Sequence, residues 1–366
     1  MAMKADDRPR DGPSRELDTS VVASDGEWEY TTCALCGADD FAPLISAPDW
    51  LHGAEGVFRV VRCAACGHMY LNPRPSRYAI DQYYPPWYGP HRSGPSGGIN
   101  PPARHEIGRR AWYLSGFVRA VPGLRRLYYW LTTSDSEFVP SLGDGARRAL
   151  DLGCADGRFL EQLRQRGWQV QGVEPIEPAA RLAQARQLNV HCGTLESARF
   201  PSASFDIVFA WMVIEHLHDP VATLREVHRI LAPGGWLVFS VPNAACWERR
   251  LFGRYWYAWS LPVHLQHFTR DSIERLLGLS EFRVERIIGQ RHALTLAGSL
   301  GILLRFLWPR WRLGERLIDF AGDPSPWGLA LLSPVAKIMA AIGQSSCLTI
   351  VARRTKDTES TAAVSQ

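Results

Sequence analysis

The middle of the chain alternates between short continuous apolar runs and apolar residues spaced three or four apart. Runs at 149–152, 170–173, 205–210 and 236–241 have the length of strands buried on both faces. After the third run, Val221, Leu224, Val227, Ile230 and Leu231 share one face of a helix. Asp219-Pro220 caps its start, proline being well placed at a first helical position. Further strands are expected at 282–288 and 347–353. Strands alternating with helices predict an α/β, doubly wound, Rossmann-like sheet.

The junction from Ala149 to Leu160 carries the most chemistry. An apolar strand ends at Asp151, a turn of Gly153, Cys154, Ala155, Asp156 and Gly157 follows, and an amphipathic helix begins. Such a turn lets a ligand approach the backbone, and its amides are expected to face that ligand. A second strand ends in Glu174, before Pro175, where doubly wound folds bind ribose hydroxyls. An adenosine-like ligand is therefore expected across these two strand ends, with Asp151 orienting the turn and a ligand amino group. Neither a Gly-x-Gly-x-x-Gly nor a Gly-x-x-x-x-Gly-Lys phosphate loop occurs.

Asp-Leu-Gly-Cys-Ala-Asp-Gly resembles the first motif of class I S-adenosylmethionine-dependent methyltransferases, with Ala155 in place of the middle glycine. Phe205-Asp206-Ile207-Val208, then Glu215-His216-Leu217-His218-Asp219-Pro220, then Leu231-Ala232-Pro233-Gly234-Gly235 resemble that family in order and spacing. The resemblance covers about 146–290 and the last strand. It implies a seven-stranded sheet, a core domain at 146–355, S-adenosylmethionine as cofactor and methyl transfer as the activity. It places adenine near Thr194, Leu195 and Glu196, with Thr194 where many relatives have an acidic residue. Ala210 and Trp211 are expected at the methyl end. In-line displacement needs positioning and, for a hydroxyl acceptor, a base. The candidates are His216, His264 and His267, and oxygen is the default acceptor atom. Near the cofactor no complete metal-ligand set is visible.

Of eight cysteines, four fall as Cys33-x2-Cys36 and Cys63-x2-Cys66, each pair followed by glycine. Two such knuckles suit one tetrahedral thiolate ion, so residues 29–75 are expected to form a zinc ribbon with one structural ion. Strands are expected around Leu44 and Val57–Val61. A unit this small needs the metal to compensate for a meagre core. Ribbon, Leu71-Asn72-Pro73-Arg74-Pro75 and core together resemble a bacterial methyltransferase subfamily linked to sugar, polysaccharide and secondary-metabolite modification.

The remaining segments are polar tails at 1–28 and 356–366, expected to be disordered, and an aromatic loop and helical cap at 76–145. Residues 78–100, aromatic and rich in proline and glycine, are expected to form a linker or, as the resemblance suggests, a substrate lid, and 103–131 a helical cap. A helical insertion is expected at 291–345, with two interrupted apolar runs too short to span a membrane. Its mixture of Trp, Arg and Leu also suits peripheral contact with the inner face of a membrane. A net charge of +4 is far below that of a dedicated nucleic-acid binder. Between Cys33 and Cys66 only Arg59 and Arg62 are basic, against Asp39, Asp40, Asp49 and Glu55. A small-molecule or glycan acceptor in the cytoplasm is the expected setting. An RNA base methyltransferase and a non-catalytic cofactor-binding scaffold are the competing readings.

Overall fold

The computed structural model of the chain describes residues 27–84, 139–140, 147–291 and 293–355. Residues 1–26 and 356–366 of the expected tails, the linker or lid at 78–100 beyond residue 84 and the helical cap at 103–131 lie outside the described residues, whereas Trp28, expected in the first tail, begins a strand.

Strand β1 (Trp28–Glu29) pairs antiparallel with β5 (Arg74–Pro75). Between them run β2 (Phe41–Ala47), β3 (Phe58–Cys63) and β4 (Met69–Leu71). Strands β2 and β3 pair antiparallel from Phe41 opposite Cys63 to Ala47 opposite Phe58.

The larger sheet starts in its middle. Strand β6 (Arg148–Leu152) leads through helix α1 (Arg158–Gln165) to β7 (Gln169–Glu174). Helix α2 (Glu177–Ala185) leads to β8 (Val190–Cys192) at one edge, and α3 (Leu195–Ala198) follows. The chain then crosses to β9 (Phe205–Trp211) on the other side of β6, and α4 (Pro220–Ile230) leads to β10 (Leu231–Pro242). Asp219 caps α4 by accepting the Ala222 amide at 2.9 Å, with Pro220 at the first turn as expected. The short α5 (Trp247–Phe252) and an aromatic loop lead to β11 (Gln266–His267), α6 (Arg270–Leu279) and β12 (Phe282–Gly289). Strand β13 (Cys347–Arg354) inserts antiparallel between β12 and β10.

The seven-stranded order is β12-β13-β10-β9-β6-β7-β8. Strands β6 to β10 are parallel, and the winding reverses between β6 and β9. Ligands of doubly wound sheets sit outside the carboxyl ends at that reversal.

Two features go beyond the sequence pattern. Strand β11 leaves the unit built on the large sheet and joins the N-terminal unit, giving a four-stranded sheet β11-β4-β3-β2. Gln266 stands opposite Tyr70 and His267 opposite Met69. Moreover, Cys33, Leu35, Val61, Cys63 and Tyr70 share one hydrophobic core with Leu150, Phe239, Phe268 and Leu348. The N-terminal unit is thus welded to the large sheet.

The insertion before β13 forms three helices: α7 (Leu294–Leu307), α8 (Leu313–Gly322) and α9 (Pro326–Ala341). Helices α7 and α8 cross where Gly301 meets Gly314; a methyl on Gly314 would lie 2.7 Å from the Arg305 amide nitrogen. Among the described residues no helix is long and apolar enough to cross a membrane.

Candidate active site

At the carboxyl end of β6 the chain must turn sharply to enter α1. Gly153, Ala155 and Gly157 all take left-handed backbone angles, at φ 71°, 47° and 78°. Ala155 carries a Cβ in that region, which costs a little and is held by its surroundings. A Cβ on Gly153 would lie 2.5 Å from Val213 Cγ2, and one on Gly172 in β7 would lie 2.6 Å from Cys154 Sγ. The glycines therefore let the turn lie against both neighbouring strands.

The turn's amides correct one expectation. Gly153 and Cys154 both donate to the Val173 carbonyl, at 2.8 and 3.1 Å, and Gly157 donates to the Cys154 carbonyl at 2.9 Å. Ala155 donates to Glu174 Oε2 at 2.8 Å. Four amides of this row are thus engaged within the protein instead of standing open to a ligand. What the turn offers is close backbone approach beside carboxylates.

Glu174 is buried, its other oxygen accepting the Ile176 amide at 2.9 Å. Burial pushes its carboxyl up, and the two amides oppose that. Each carboxylate oxygen keeps a lone pair for a hydroxyl. Asp151 is buried one strand away, opposite Gly172 in the β6–β7 register. Burial, then Asp151 and Glu174, push the intervening Cys154 thiol far up. Two convergent carboxylates would repel a diphosphate and attract a cation, which fits a sulfonium nucleoside bearing an ammonium group. Asp156 is spoken for: it pairs with Arg158 at 2.8 Å and Arg186 at 3.4 Å.

Beyond β8, Thr194 caps α3, its hydroxyl accepting the Ser197 amide at 3.3 Å. Glu196 accepts from the Thr223 hydroxyl at 3.3 Å, so its carboxylate leans toward α4. Leu195 is buried, leaving its backbone as the group nearest the expected adenine position. Pro175 is exposed where β7 ends.

At the end of β9, Ala210 is fully buried. Trp211 stacks on Phe209 at 5.8 Å and meets Phe159 edge-on at 5.5 Å, so its ring belongs to the packing between β9 and α1. Met212, at φ 54°, donates its amide to the Ser240 carbonyl. The chain then makes a single helical turn through Ile214, Glu215 and His216.

The three histidine candidates separate here. His216 Nδ1 lies 2.9 Å from both the Val263 carbonyl and the Tyr84 hydroxyl. His264 is buried edge-to-face against it, with ring centroids 4.7 Å apart. His267 points elsewhere: it is buried against Trp259 at 4.8 Å, and burial pushes its imidazole down to about 3. That environment makes His267 a packing residue, against its expected place among the bases. Sequence reading also missed Tyr84, which no motif marks and which only the folded chain brings to His216. Glu215 stood in the Glu-His-Leu motif without a role assigned to it.

The N-terminal unit braces this region. Gln266 spans it, its side chain bonding His68 Nε2 at 2.8 Å and donating to the Leu217 carbonyl at 3.1 Å. Arg74 donates to the His218 carbonyl at 2.8 Å while pairing with Glu29 at 2.7 Å. The loop after β9 is thus held from the N-terminal side.

Within that unit the two cysteine knuckles have one geometry. Cys33 and Cys63 each donate an amide to the carbonyl five residues on, at 2.8 Å, and each accepts from the glycine four residues on. The sulfurs of Cys33 and Cys66, and of Cys36 and Cys63, lie 3.5 Å apart, and one sulfur from each of the four lies within 4.8 Å of the others. A tetrahedral tetrathiolate zinc, with bonds of about 2.3 Å, spaces its sulfurs by roughly 3.8 Å. The four thiols fit that ion.

A family model of a methyltransferase domain matches residues 128–287. A probable S-adenosylmethionine-dependent methyltransferase of Mycolicibacterium smegmatis is 29% identical over 230 residues, 60% of this chain and 82% of that protein. A ubiquinone biosynthesis O-methyltransferase of Idiomarina loihiensis is 34% identical over 115 residues, 29% of this chain and 47% of that protein. The chain spans about half the length of such O-methyltransferase relatives. Among solved structures, an S-adenosylmethionine-dependent methyltransferase from Mesorhizobium loti matches at 19% identity with a TM-score of 0.40, covering 65% of this chain and all of that one. Residues 128–287 therefore carry a methyltransferase domain, and the chain is similar to S-adenosylmethionine-dependent methyltransferases.

Proposed function

We propose that the chain methylates an oxygen of a small-molecule or glycan acceptor, with a zinc-bound ribbon framing the acceptor side. The observation that carries this reading is the joint between Glu174 and the Ala155 amide, with Asp151 beside it, opening toward the loop that bears Glu215 and His216. S-adenosylmethionine, when bound there, supplies a methyl group on a positively charged sulfur. Glu174 would hold the ribose hydroxyls, Asp151 the amino group, and the backbone at Leu195 the adenine edge. The acceptor oxygen forms the new bond to carbon as the carbon–sulfur pair returns to sulfur, and the hydroxyl proton leaves to a nearby base or to water. Of the three candidate bases, His216 is the one that stands beside an ionisable hydroxyl, that of Tyr84. The oxygen preference draws support from the relatives named for O-methylation.

Cys33, Cys36, Cys63 and Cys66 would hold one structural zinc. That ion would keep β4 in place under β11, and so the loop between Ser260 and His267.

Labelled methyl incorporation into fractionated cell extract tests the reading. Label is expected in a nuclease-resistant, low-molecular-weight or glycan fraction and is expected to release under conditions that cleave methyl ethers or esters. Label confined to RNA, or none at all with cofactor demonstrably bound, would overturn it.

A further inference from the structure

Glu215 is wholly buried, and neither carboxylate oxygen has a hydrogen-bond partner on another residue. An ionised carboxylate left so costs several kcal/mol unless a cation joins it. His216, His264 and the buried Cys347 thiol lie against it. One ligand atom from each of Glu215, His216 and His264 lies within 4.8 Å of the other two, and the thiol stands outside that set. Glu215 and His216 are adjacent, and His264 comes from a separate part of the chain, 49 positions beyond Glu215.

The imidazole tautomers can be read from their partners. His264 Nδ1 is 3.0 Å from the Ala258 carbonyl. A carbonyl only accepts, so Nδ1 carries the hydrogen and Nε2 keeps the lone pair. The Val263 carbonyl does the same for His216. Histidines that bind metals are commonly oriented this way, by a backbone carbonyl on the other ring nitrogen. The loop carrying His264 is itself fixed, since the Leu265 amide donates to the Glu215 carbonyl at 2.8 Å and the Leu71 amide to the Leu265 carbonyl at 3.0 Å.

We propose that Glu215, His216 and His264 bind one divalent transition-metal ion, distinct from the ribbon's. Two imidazoles and one carboxylate suit Zn²⁺, Mn²⁺ or Fe²⁺ better than Ca²⁺ or Mg²⁺, which prefer oxygen alone. Closing on an ion at bonds of about 2.0–2.2 Å would draw the three ligand atoms to roughly 3.3 Å apart, a movement within side-chain reach. Three protein ligands leave a coordination position open. Val213, two residues before Glu215, packs on Gly153 of the cofactor turn, so that position belongs to the same end of the sheet. Resting on the reading above, its ligand would be a hydroxyl of the acceptor, held and made more acidic by the ion and losing its proton to water, since His216 as a ligand would not serve as the base.

Cobalt titration of the full-length, metal-stripped protein tests the site without any methyl transfer. A tetrathiolate ion gives intense near-ultraviolet charge-transfer bands, whereas an imidazole–carboxylate ion gives only weak visible bands. Wild type is expected to take up one cobalt that adds visible absorption without charge transfer. Glu215→Gln, which preserves shape, and His264→Ala are each expected to weaken that ion at least about a hundredfold, more than loss of an outer hydrogen bond would. Retained ribbon charge-transfer bands and an unchanged circular dichroism spectrum would show that each variant folds. Failure of wild type to take up a thiolate-free ion, or its undiminished uptake by both variants, would overturn the proposal. Because cofactor binding is not measured, this outcome is independent of the methyl-transfer reading.

Discussion

Glu174 Oε2 accepts the Ala155 amide at 2.8 Å, joining the end of β7 to the turn after β6. One side chain thereby sets the shape of the turn and stands where ribose hydroxyls are expected. Glu174→Ala should weaken S-adenosylmethionine binding tenfold or more, since a charge-assisted hydrogen bond contributes about 1.5–3 kcal/mol. Calorimetric titration checks this, and equal affinities would remove Glu174 from the cofactor site. Glu174→Gln should fall between the two, because an amide oxygen can serve only one of the two amides.

Gly157 tests the packing of the same turn. At φ 78° it enters α1 with no room for a side chain: an added methyl would overlap Leu188 Cδ1 and lie 2.9 Å from Ala183 Cβ. Gly157→Ala should cost about 1–3 kcal/mol through overpacking, with left-handed strain added. Urea denaturation monitored by circular dichroism gives the number. A variant as stable as wild type would show that α2 yields freely to the turn.

The large sheet was legible because strands buried on both faces read as continuous apolar runs, and Phe205–Trp211 and Trp236–Val241 need no partner to be recognised. The turn was legible because glycine and acid fall at fixed offsets around Asp151 and Glu174. Its amides were misread, since the pattern does not say that the Val173 carbonyl reaches back to Gly153 and Cys154. Strand β11 was invisible: two residues, Gln266 and His267, carry no periodicity, and only pairing with β4 makes them a strand. Glu215 and His264 were unread as a pair for a similar reason, as nothing local connects them. His267 was misread because nothing local shows that Trp259 packs edge-on against it.

The ribbon's shared core makes its metal a matter for the whole fold. Cys33 and Cys63 pack in one cluster with Leu150 and Phe239 of the large sheet. Cys63→Ser should therefore lose the thiolate-bound ion and also lower the melting temperature of the entire protein in one transition. Metal analysis alongside scanning calorimetry checks both. A separate early transition, with the main one unmoved, would show that the ribbon melts alone.

Glu248 supplies a pH dependence away from both candidate metal sites. It is buried on α5, accepts from the Thr295 hydroxyl at 2.8 Å, and burial pushes its carboxyl up to about 7 from an ordinary 4.5. Above pH 4.5 the unfolded chain releases this proton while the folded chain keeps it to about 7. The group's contribution therefore falls as pH rises across that window and levels off above it. Over the full window the loss is at most about 3 kcal/mol. Glu248→Gln should flatten that slope, so the stability difference between variant and wild type grows from pH 4.5 to 7. Parallel slopes in urea melts at pH 5 and pH 7.5 would mean that Glu248 ionises freely in the folded state.

The α7–α8 corner presents Trp308 and Trp311, stacked at 5.7 Å and about half exposed, beside exposed Phe306, Leu307 and Leu313. Arg310, Arg312 and Arg316 lie in the same stretch, against Glu315. Aromatic rings with interleaved arginines suit the interface of an anionic bilayer, where each basic residue near the surface contributes about 1 kcal/mol. Cosedimentation with phosphatidylglycerol vesicles is expected, weakened by salt and by replacement with phosphatidylcholine. Trp308→Ser with Trp311→Ser should reduce binding at least fivefold while leaving cofactor affinity unchanged, because both rings are exposed at the α7–α8 corner and stack on each other. Binding that is indifferent to both tryptophans would assign the interaction to charge elsewhere on the protein. No binding to either vesicle would leave this corner as an exposed apolar surface with no lipid role.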